Sequence, residues 1–194
     1  MHILRASDYK QMPWKNGGGV TTEIAVAPVD AGVGDFNWRI SMAKVGADGA
    51  FSSFENVDRI LTILDGQGMH LDVAGMTPVR LTAASEPFAF PGDVPTSATL
   101  VAGSITDLNV MTRRGGWTST VEKLTVQGAL AVTADANVSI IFCCGGSLEI
   151  PDHQSVLDKH DALFIDAANG IAAISIRGSA EILIIRLSQN SSVS

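Results

Sequence analysis

Arg59 is the residue of this sequence whose type and position are best suited to binding chemistry. It begins the segment Arg59–Leu64, whose apolar and β-branched residues predict a buried or half-buried strand. Strand side chains alternate between two faces, so Arg59 shares a face with Leu61 and Ile63. An unpaired buried charge is very costly. Arg59 therefore either turns to solvent at the start of the strand, or points into the interior and binds an anion there.

Two other predicted strands also carry polar residues on one face. The polar residues of the first are Asn37, Arg39 and Ser41, and those of the second are Asp107, Asn109 and Arg113. Each set predicts either a solvated outer surface, with ion pairs, or the polar wall of a site shared with Arg59. In the second case Asp107 can hold one arginine by a bidentate pair, which leaves another arginine for a ligand.

The segment Pro13–Gly19, PWKNGGG, is the most unusual local sequence. Three consecutive glycines suit close backbone approach, or a concavity of amides that binds an anion. The alternative is a flexible connector before the next strand. Trp14, Lys15 and Asn16 in front of the glycines favour a pocket wall, so we include them among the candidate ligand-binding residues.

Several other chemistries have little support. The four histidines lack His-x-His or His-x-x-x-His spacing, so we expect no metal and no cofactor. The serines lack a nucleophile-elbow setting. With 20 acidic against 13 basic residues and a net charge of -7, nucleic acid is an unsuitable partner. The sequence shows no signal-peptide pattern and no membrane-length apolar run, which predicts a cytoplasmic protein without a membrane partner.

The elements that must position these residues are short strands. Gly and Pro interrupt apolar runs at close intervals, which predicts an all-β protein with helices only as short turns. Asp65-Gly66 and Gly68 predict a hairpin after the Arg59 strand. A weak internal repeat predicts two barrels, one over residues 1–116 and one over residues 117–187. The first barrel contains the site, and residues 188–194 are predicted to form a disordered tail. Open barrels leave edge strands, so we expect a homodimer.

Four segments resemble, in order, the motifs of the HutD/Ves family. They are PWKNGGGVTTEIA, NWRISMAKVGADGAFSSFENVDRILTILDGQGM, FAFPGD and DLNVMTRRGG, and they span roughly residues 12–116. The resemblance implies a bicupin, which is two small β-barrels in one chain, and a link to histidine utilisation. It also implies a regulator that binds a pathway intermediate, with N-formylglutamate as the favoured ligand. The Ves branch of the family is described as stress-related.

The residues and the resemblance together predict a non-catalytic protein that binds a small carboxylate through Arg59. The alternatives are a metal-free cupin enzyme, either an isomerase or a hydrolase, and a partner-binding protein with a vestigial pocket. An enzyme needs a titratable general base in the pocket. The candidates for that base are Glu23, Glu55, Asp58, Asp107 and His70, and their spacing singles out none of them.

Overall fold

The computed structural model describes residues 1–15 and 17–190. Strands dominate this part of the chain, and its helices are three short 3-10 turns at Ala6–Asp8, Pro151–His153 and Ala167–Asn169. The strands are β1 His2–Leu4, β2 Lys10–Pro13, β3 Gly19–Ala27, β4 Trp38–Val45, β5 Gly49–Ala50, β6 Val57–Asp65, β7 Met69–Val73, β8 Val79–Leu81, β9 Phe88–Pro91, β10 Thr96–Leu100, β11 Ile105–Arg113, β12 Trp117–Thr133, β13 Val138–Ile150, β14 Ser155–Leu157, β15 Ala162–Asp166 and β16 Ala173–Gln189. The all-β prediction is confirmed. None of the helices in the described residues has the length and apolarity needed to span a membrane.

The chain forms two compact units. The first unit is Lys10–Thr118, and the second combines Met1–Tyr9 with the chain from Ser119 onward. The sequence assigned residues 1–9 to the N-terminal unit, whereas β1 pairs antiparallel with β15. The predicted tail also begins too early, because β16 continues through Gln189. Residues 191–194 of that tail lie outside the described part of the chain.

The first unit contains two sheets with a shared hydrophobic core. One has six strands in the order β2-β3-β4-β11-β6-β9, and the other has four in the order β5-β10-β7-β8. The core combines residues of both sheets, including Leu61 and Ile63 from β6 and Met69 and Leu71 from β7. The alternating buried and exposed positions of β7 show one face turned to this core.

The predicted hairpin between β6 and β7 is wrong. These strands belong to different sheets, so the turn carries the chain from one sheet to the other. Gly66 and Gly68 have φ angles of 92° and 93°, which glycine adopts readily. A Cβ at Gly68 would also lie 2.1 Å from the carbonyl oxygen of Leu81. The glycines therefore allow the tight turn by which the chain passes from one sheet to the other.

The second unit is built on one sheet in the order β1-β15-β13-β16-β12, with β14 paired to β13. Its core is almost entirely aliphatic, with Ile141, Leu148 and Ile182 among its fully buried residues. The strand pairings of both units describe open sheets, so the two-barrel arrangement stays a prediction.

Candidate functional site

The register of three neighbouring strands brings the polar residues together. Met111 of β11 pairs with Arg39 of β4 on one side and with Arg59 of β6 on the other. Asn109 likewise lies between Ser41 and Leu61. Paired residues in a sheet point to the same side. Both arginines therefore project from the face that carries the core of the first unit.

Arg59 lies in the interior and not in solvent. Its exposed fraction is 6%, and its guanidinium carbon lies 4.8 Å from the ring centre of Phe51, 5.2 Å from that of Phe90 and 5.9 Å from that of Phe54. Aromatic faces attract a cation, and more strongly where water is excluded. The three rings also fix the direction of the side chain.

The hydrogen bonds of Arg59 leave part of the guanidinium available. Nη2 donates to Oδ1 of Asn109 at 2.6 Å, and Nη1 makes a long contact of 3.5 Å with the carbonyl oxygen of Ser52. Nε is buried and has no hydrogen-bond partner in the described chain. Within residues 1–15 and 17–190, Arg59 forms no ion pair with a carboxylate. Arg59 is therefore a buried cation without a directly paired anion in the part of the chain that the structure describes.

Asp107 is connected to Arg59 through Asn109. Nδ2 of Asn109 donates to Oδ1 of Asp107 at 2.6 Å, so the amide bridges the two charged groups. Asp107 is 1% exposed, and its Oδ2 has no hydrogen-bond partner among the described residues. The expected bidentate pair between Asp107 and an arginine is absent from this part of the chain. The reason is that the side chain of Asn109 occupies the space between them.

Burial shifts the ionisation of both groups. It lowers the pKa of Arg59 to about 10, with Asp107 acting in the opposite direction. It raises the pKa of Asp107 to about 7, against the effects of Arg59 and of the hydrogen bond from Asn109. Near neutral pH, Arg59 is therefore a fixed cation and Asp107 is only partly ionised. Of the five candidates for a general base, Asp107 is the one among the described residues that line the pocket, and sequence spacing did not single it out.

These residues line a pocket of about 460 Å³, a typical size for a small-molecule site. Trp14, Lys15 and Gly18 form part of its wall. The indole Nε1 of Trp14 donates to Oγ1 of Thr21 at 2.8 Å, which fixes the ring. The structure thus brings Trp14 and Lys15 to the pocket of Arg59. Asn16 lies outside the described residues.

Arg39 lines the same pocket but already has an anionic partner. Its Nε donates to Oε2 of Glu23 at 2.7 Å, and the arginine is buried while Glu23 is half-buried. The polar face predicted for this strand is therefore an interior face shared with Arg59. Because Glu23 offsets the charge of Arg39, Arg59 remains the stronger attractor for an incoming anion.

A segment that the sequence analysis missed covers Arg59. Phe51 and Phe54 contact its guanidinium, and their backbone amides donate to the carbonyl oxygens of Thr96 and Gly92. Gly92 matters sterically, because a Cβ there would lie 3.2 Å from the Arg59 side chain and 2.9 Å from the carbonyl oxygen of Val57. The sequence signal for this cover was the pair of aromatic residues in FSSF, just before the Arg59 strand.

Arg113 is not among the described residues that line the pocket. Its Nε donates to the carbonyl oxygen of Phe36 at 2.9 Å and its Nη2 to that of Gly34 at 2.7 Å. Its guanidinium also lies 5.5 Å from the ring centre of Phe36. Although it alternates in phase with Asn109, Arg113 ends β11 and holds the loop before β4.

The described residues contain no group of three His, Cys, Asp or Glu side chains that could hold a metal ion. The polar groups at the centre of the pocket are instead the guanidinium of Arg59, the amide of Asn109 and the carboxyl of Asp107. Such a set can hold an anion and exchange a proton.

Comparisons with known proteins agree with the family resemblance. An uncharacterized 21.2 kDa protein in the hutC 3' region of Pseudomonas putida is 31% identical over 181 residues, covering 92% of this chain and 93% of that protein. Protein Ves of Citrobacter koseri is 33% identical over 157 residues, with 78% of each chain covered. The structure of HutD from Pseudomonas fluorescens SBW25, described as the formate condition, has a TM-score of 0.84 and 34% identity and covers 98% of this chain and 99% of that one.

The profile of one protein family, HutD, matches residues 6–184, which is nearly the whole chain. The predicted resemblance to the HutD/Ves family is therefore confirmed. The relatives match both the first and the second unit, so the similarity is not confined to the pocket motifs. This chain belongs to the HutD family.

Proposed function

We propose that this protein binds a small carboxylate in the pocket without catalysis and serves as a regulator of histidine utilisation. The observation that supports this most is Arg59, a buried guanidinium without a directly paired carboxylate among the described residues. N-Formylglutamate is the ligand to test first, because the family resemblance implies it and because it carries two carboxylates. The hutC-region description of the Pseudomonas putida relative motivates the link to histidine utilisation.

Arginine suits this role better than lysine. Its planar fork matches the two oxygens of a carboxylate, and it stays charged even when buried. Each charge-assisted hydrogen bond contributes about 1.5–3 kcal/mol. A two-pronged contact then contributes at least about 3 kcal/mol, a factor of about 150 in affinity. Dissociation constants near the micromolar range would suit a sensor of metabolite concentration.

Calorimetric titration with N-formylglutamate tests the proposal. The variants are Arg59→Met, which keeps the apolar stem, and Arg59→Lys, which keeps the charge but loses the fork. We expect Arg59→Met to bind at least about 150-fold more weakly than wild type, since both charge-assisted bonds are lost. Arg59→Lys should also bind more weakly. Formate is a second probe, because it is the smallest carboxylate.

Arg80→Met is the matched control, because Arg80 lies exposed in β8 and does not line the pocket. It should bind like wild type. Near-ultraviolet circular dichroism of each variant checks that the fold is retained. Equal affinity of wild type and Arg59→Met would contradict the proposal.

The proposal also includes the finer architecture, a bicupin that forms a homodimer in the cytoplasm. The two compact all-β units support the bicupin. Edge strands such as β12, which ends the sheet of the second unit, support the dimer. Sedimentation velocity tests the association, and a monomer at high protein concentration would exclude the dimer.

One observation favours catalysis as the alternative function. Asp107 has a pKa raised to about 7 by burial, and it lies in the same pocket as Arg59. A carboxyl of that kind can act as a general base in an isomerase or a hydrolase. Incubation of pure protein with N-formylglutamate or imidazolone compounds decides between the two functions. Turnover that Asp107→Asn abolishes would support the enzyme, and stable binding without turnover supports the regulator.

A further inference from the structure

Asp107 is an unusual carboxyl, because its surroundings suit the neutral acid better than the carboxylate. It is buried and accepts a single side-chain hydrogen bond, from Asn109, while Oδ2 has no partner in the described residues. A carboxylate has room for several donors, and leaving an oxygen without one in the interior is costly. A proton on Oδ2 removes the larger part of that cost, because it removes the buried charge.

Besides Asp107 of β11, the charged groups around the pocket come from five elements. Arg59 comes from β6, Arg39 from β4 with Glu23 from β3, Lys15 from the loop after β2, and Asp48 from the segment before β5. β10 contributes the uncharged Ala98. Glu23 offsets Arg39, whereas Arg59 is linked to Asp107 through Asn109. In the empty pocket, Arg59 is therefore the cation that most directly stabilises an ionised Asp107.

A carboxylate bound to Arg59 changes this balance. The ligand takes over the role of the counter-ion, and a second negative charge then lies beside Asp107 in a site of low dielectric. Two carboxylates that share one site cannot both ionise easily, so one of them holds a proton.

We propose that a carboxylate ligand enters the pocket together with one proton, which Asp107 takes from solvent onto Oδ2. This inference rests on the proposed function of carboxylate binding. The ligand remains an anion paired with Arg59, and the carboxylate of Asp107 becomes a carboxylic acid. The summed charge of Arg59, Asp107 and the one ligand carboxylate that pairs with Arg59 therefore equals the charge of Arg59 and an ionised Asp107 before binding.

Ligand binding and proton uptake are coupled over a defined pH range. Burial already raises the pKa of Asp107 to about 7 in the empty pocket, and the charge of the ligand raises it further. Below about pH 6 the acid is already protonated, so binding takes up almost no proton. Above about pH 7 the uptake approaches one proton, and affinity falls by up to about tenfold for each pH unit. The carboxyls of the ligand titrate near pH 4 and stay ionised throughout, as about 4 is the usual pKa of such groups.

Calorimetric titration of wild type with N-formylglutamate in pairs of buffers measures the protons. Tris and triethanolamine at about pH 8 differ in ionisation enthalpy, so the difference in observed heat gives the number of protons taken up. Bis-Tris and imidazole serve at about pH 6, and none of the four buffers carries a carboxylate. We expect nearly one proton per ligand at the higher pH and nearly none at the lower.

Asp107→Asn tests the site of the proton, because the amide has a similar shape and cannot ionise. In this variant, binding should take up no proton, and the affinity should therefore not change between about pH 6 and pH 8. Asp72→Asn removes an exposed carboxyl in β7 outside the pocket and should retain the wild-type profile. If Asp107→Asn does not fold, the wild-type measurement is the test: uptake at about pH 8 but not at about pH 6 supports the inference, and its absence at about pH 8 overturns it.

The outcomes separate the two proposals. Proton uptake that Asp107→Asn abolishes supports the inference. Binding without proton uptake at about pH 8 overturns the inference and leaves carboxylate binding intact. Proton uptake that persists in Asp107→Asn assigns the proton to another group and also overturns it. Absence of binding at every pH overturns the proposed function and this inference together.

Discussion

Replacing Asp107 with asparagine should stabilise the protein more at neutral and higher pH than at acidic pH. The substitution keeps the size of a buried side chain but removes its ionisation. Burial raises the pKa of Asp107 to about 7 in the folded chain. In the unfolded chain the same group has a pKa near 3.9, the usual value for aspartate, as given approximately by model peptides.

The sign and size of the effect follow from this difference. The folded state prefers the protonated acid, so its stabilising contribution is complete below about pH 4 and is lost as pH rises through about 7. A difference of roughly three pKa units corresponds to about 4 kcal/mol in the free energy of unfolding. The Asp107→Asn variant does not lose this stability, because asparagine does not ionise. The stability of Asp107→Asn relative to wild type should therefore rise by up to about 4 kcal/mol between about pH 4 and pH 8.

Urea unfolding followed by tryptophan fluorescence measures this effect. All three tryptophans, Trp14, Trp38 and Trp117, lie in the same unit as Asp107, so their signal reports on that unit. Wild type and variant share every other titrating group, and the difference between them isolates Asp107. Asp72→Asn provides the control, since that carboxyl is exposed in β7.

A stability difference that stays level from about pH 5 to pH 8 would refute the reasoning, because it would mean that Asp107 titrates as an ordinary carboxyl. A difference that shrinks with rising pH would show that the folded state stabilises the carboxylate. In that case Arg59, acting through Asn109, would outweigh the effect of burial.

Two further predictions concern residues around the pocket. Gly92→Ala should lower the free energy of unfolding by about 1–3 kcal/mol and weaken N-formylglutamate binding, because the new Cβ crowds the Arg59 side chain. Gly116→Ala, whose nearest neighbour would be 3.9 Å away, should change neither, and equal effects of the two would contradict the steric argument. Arg113→Met should lower the free energy of unfolding by about 1–3 kcal/mol, since two hydrogen bonds to the loop before β4 are lost. Its ligand affinity should match wild type, and a marked loss would mean that Arg113 belongs to the site.

Alternation along strands accounts for what the sequence predicted well. Arg59 is in phase with Leu61 and Ile63, and both of those residues lie in the core. The same rule put Arg39 and Asp107 on faces that could meet it. The rule does not give the pairing between strands, however. That Met111 lies directly between Arg39 and Arg59 is a matter of register, which depends on contacts between distant segments.

Long-range contacts also explain the errors. The hairpin after β6 had suitable turn residues, but its two strands found partners in different sheets. In the second unit, two consecutive glycines, Gly145 and Gly146, are typical of a turn, yet β13 continues through them with a register shift between Cys143 and Gly145. The bridge through Asn109 replaced the expected pair of Asp107 with an arginine, because side-chain reach is not visible in sequence.

The residues on the two faces of β11 have separate roles and can therefore change independently in evolution. The alternate residues Asp107, Asn109 and Met111 line the pocket, whereas Leu108 and Val110 point to the opposite face and are fully buried. Substitutions at the first set change the chemistry of the pocket wall, while the second set keeps the strand buried against its neighbours. The chemistry of the pocket can therefore change at every second codon of one strand while the buried residues between them stay the same.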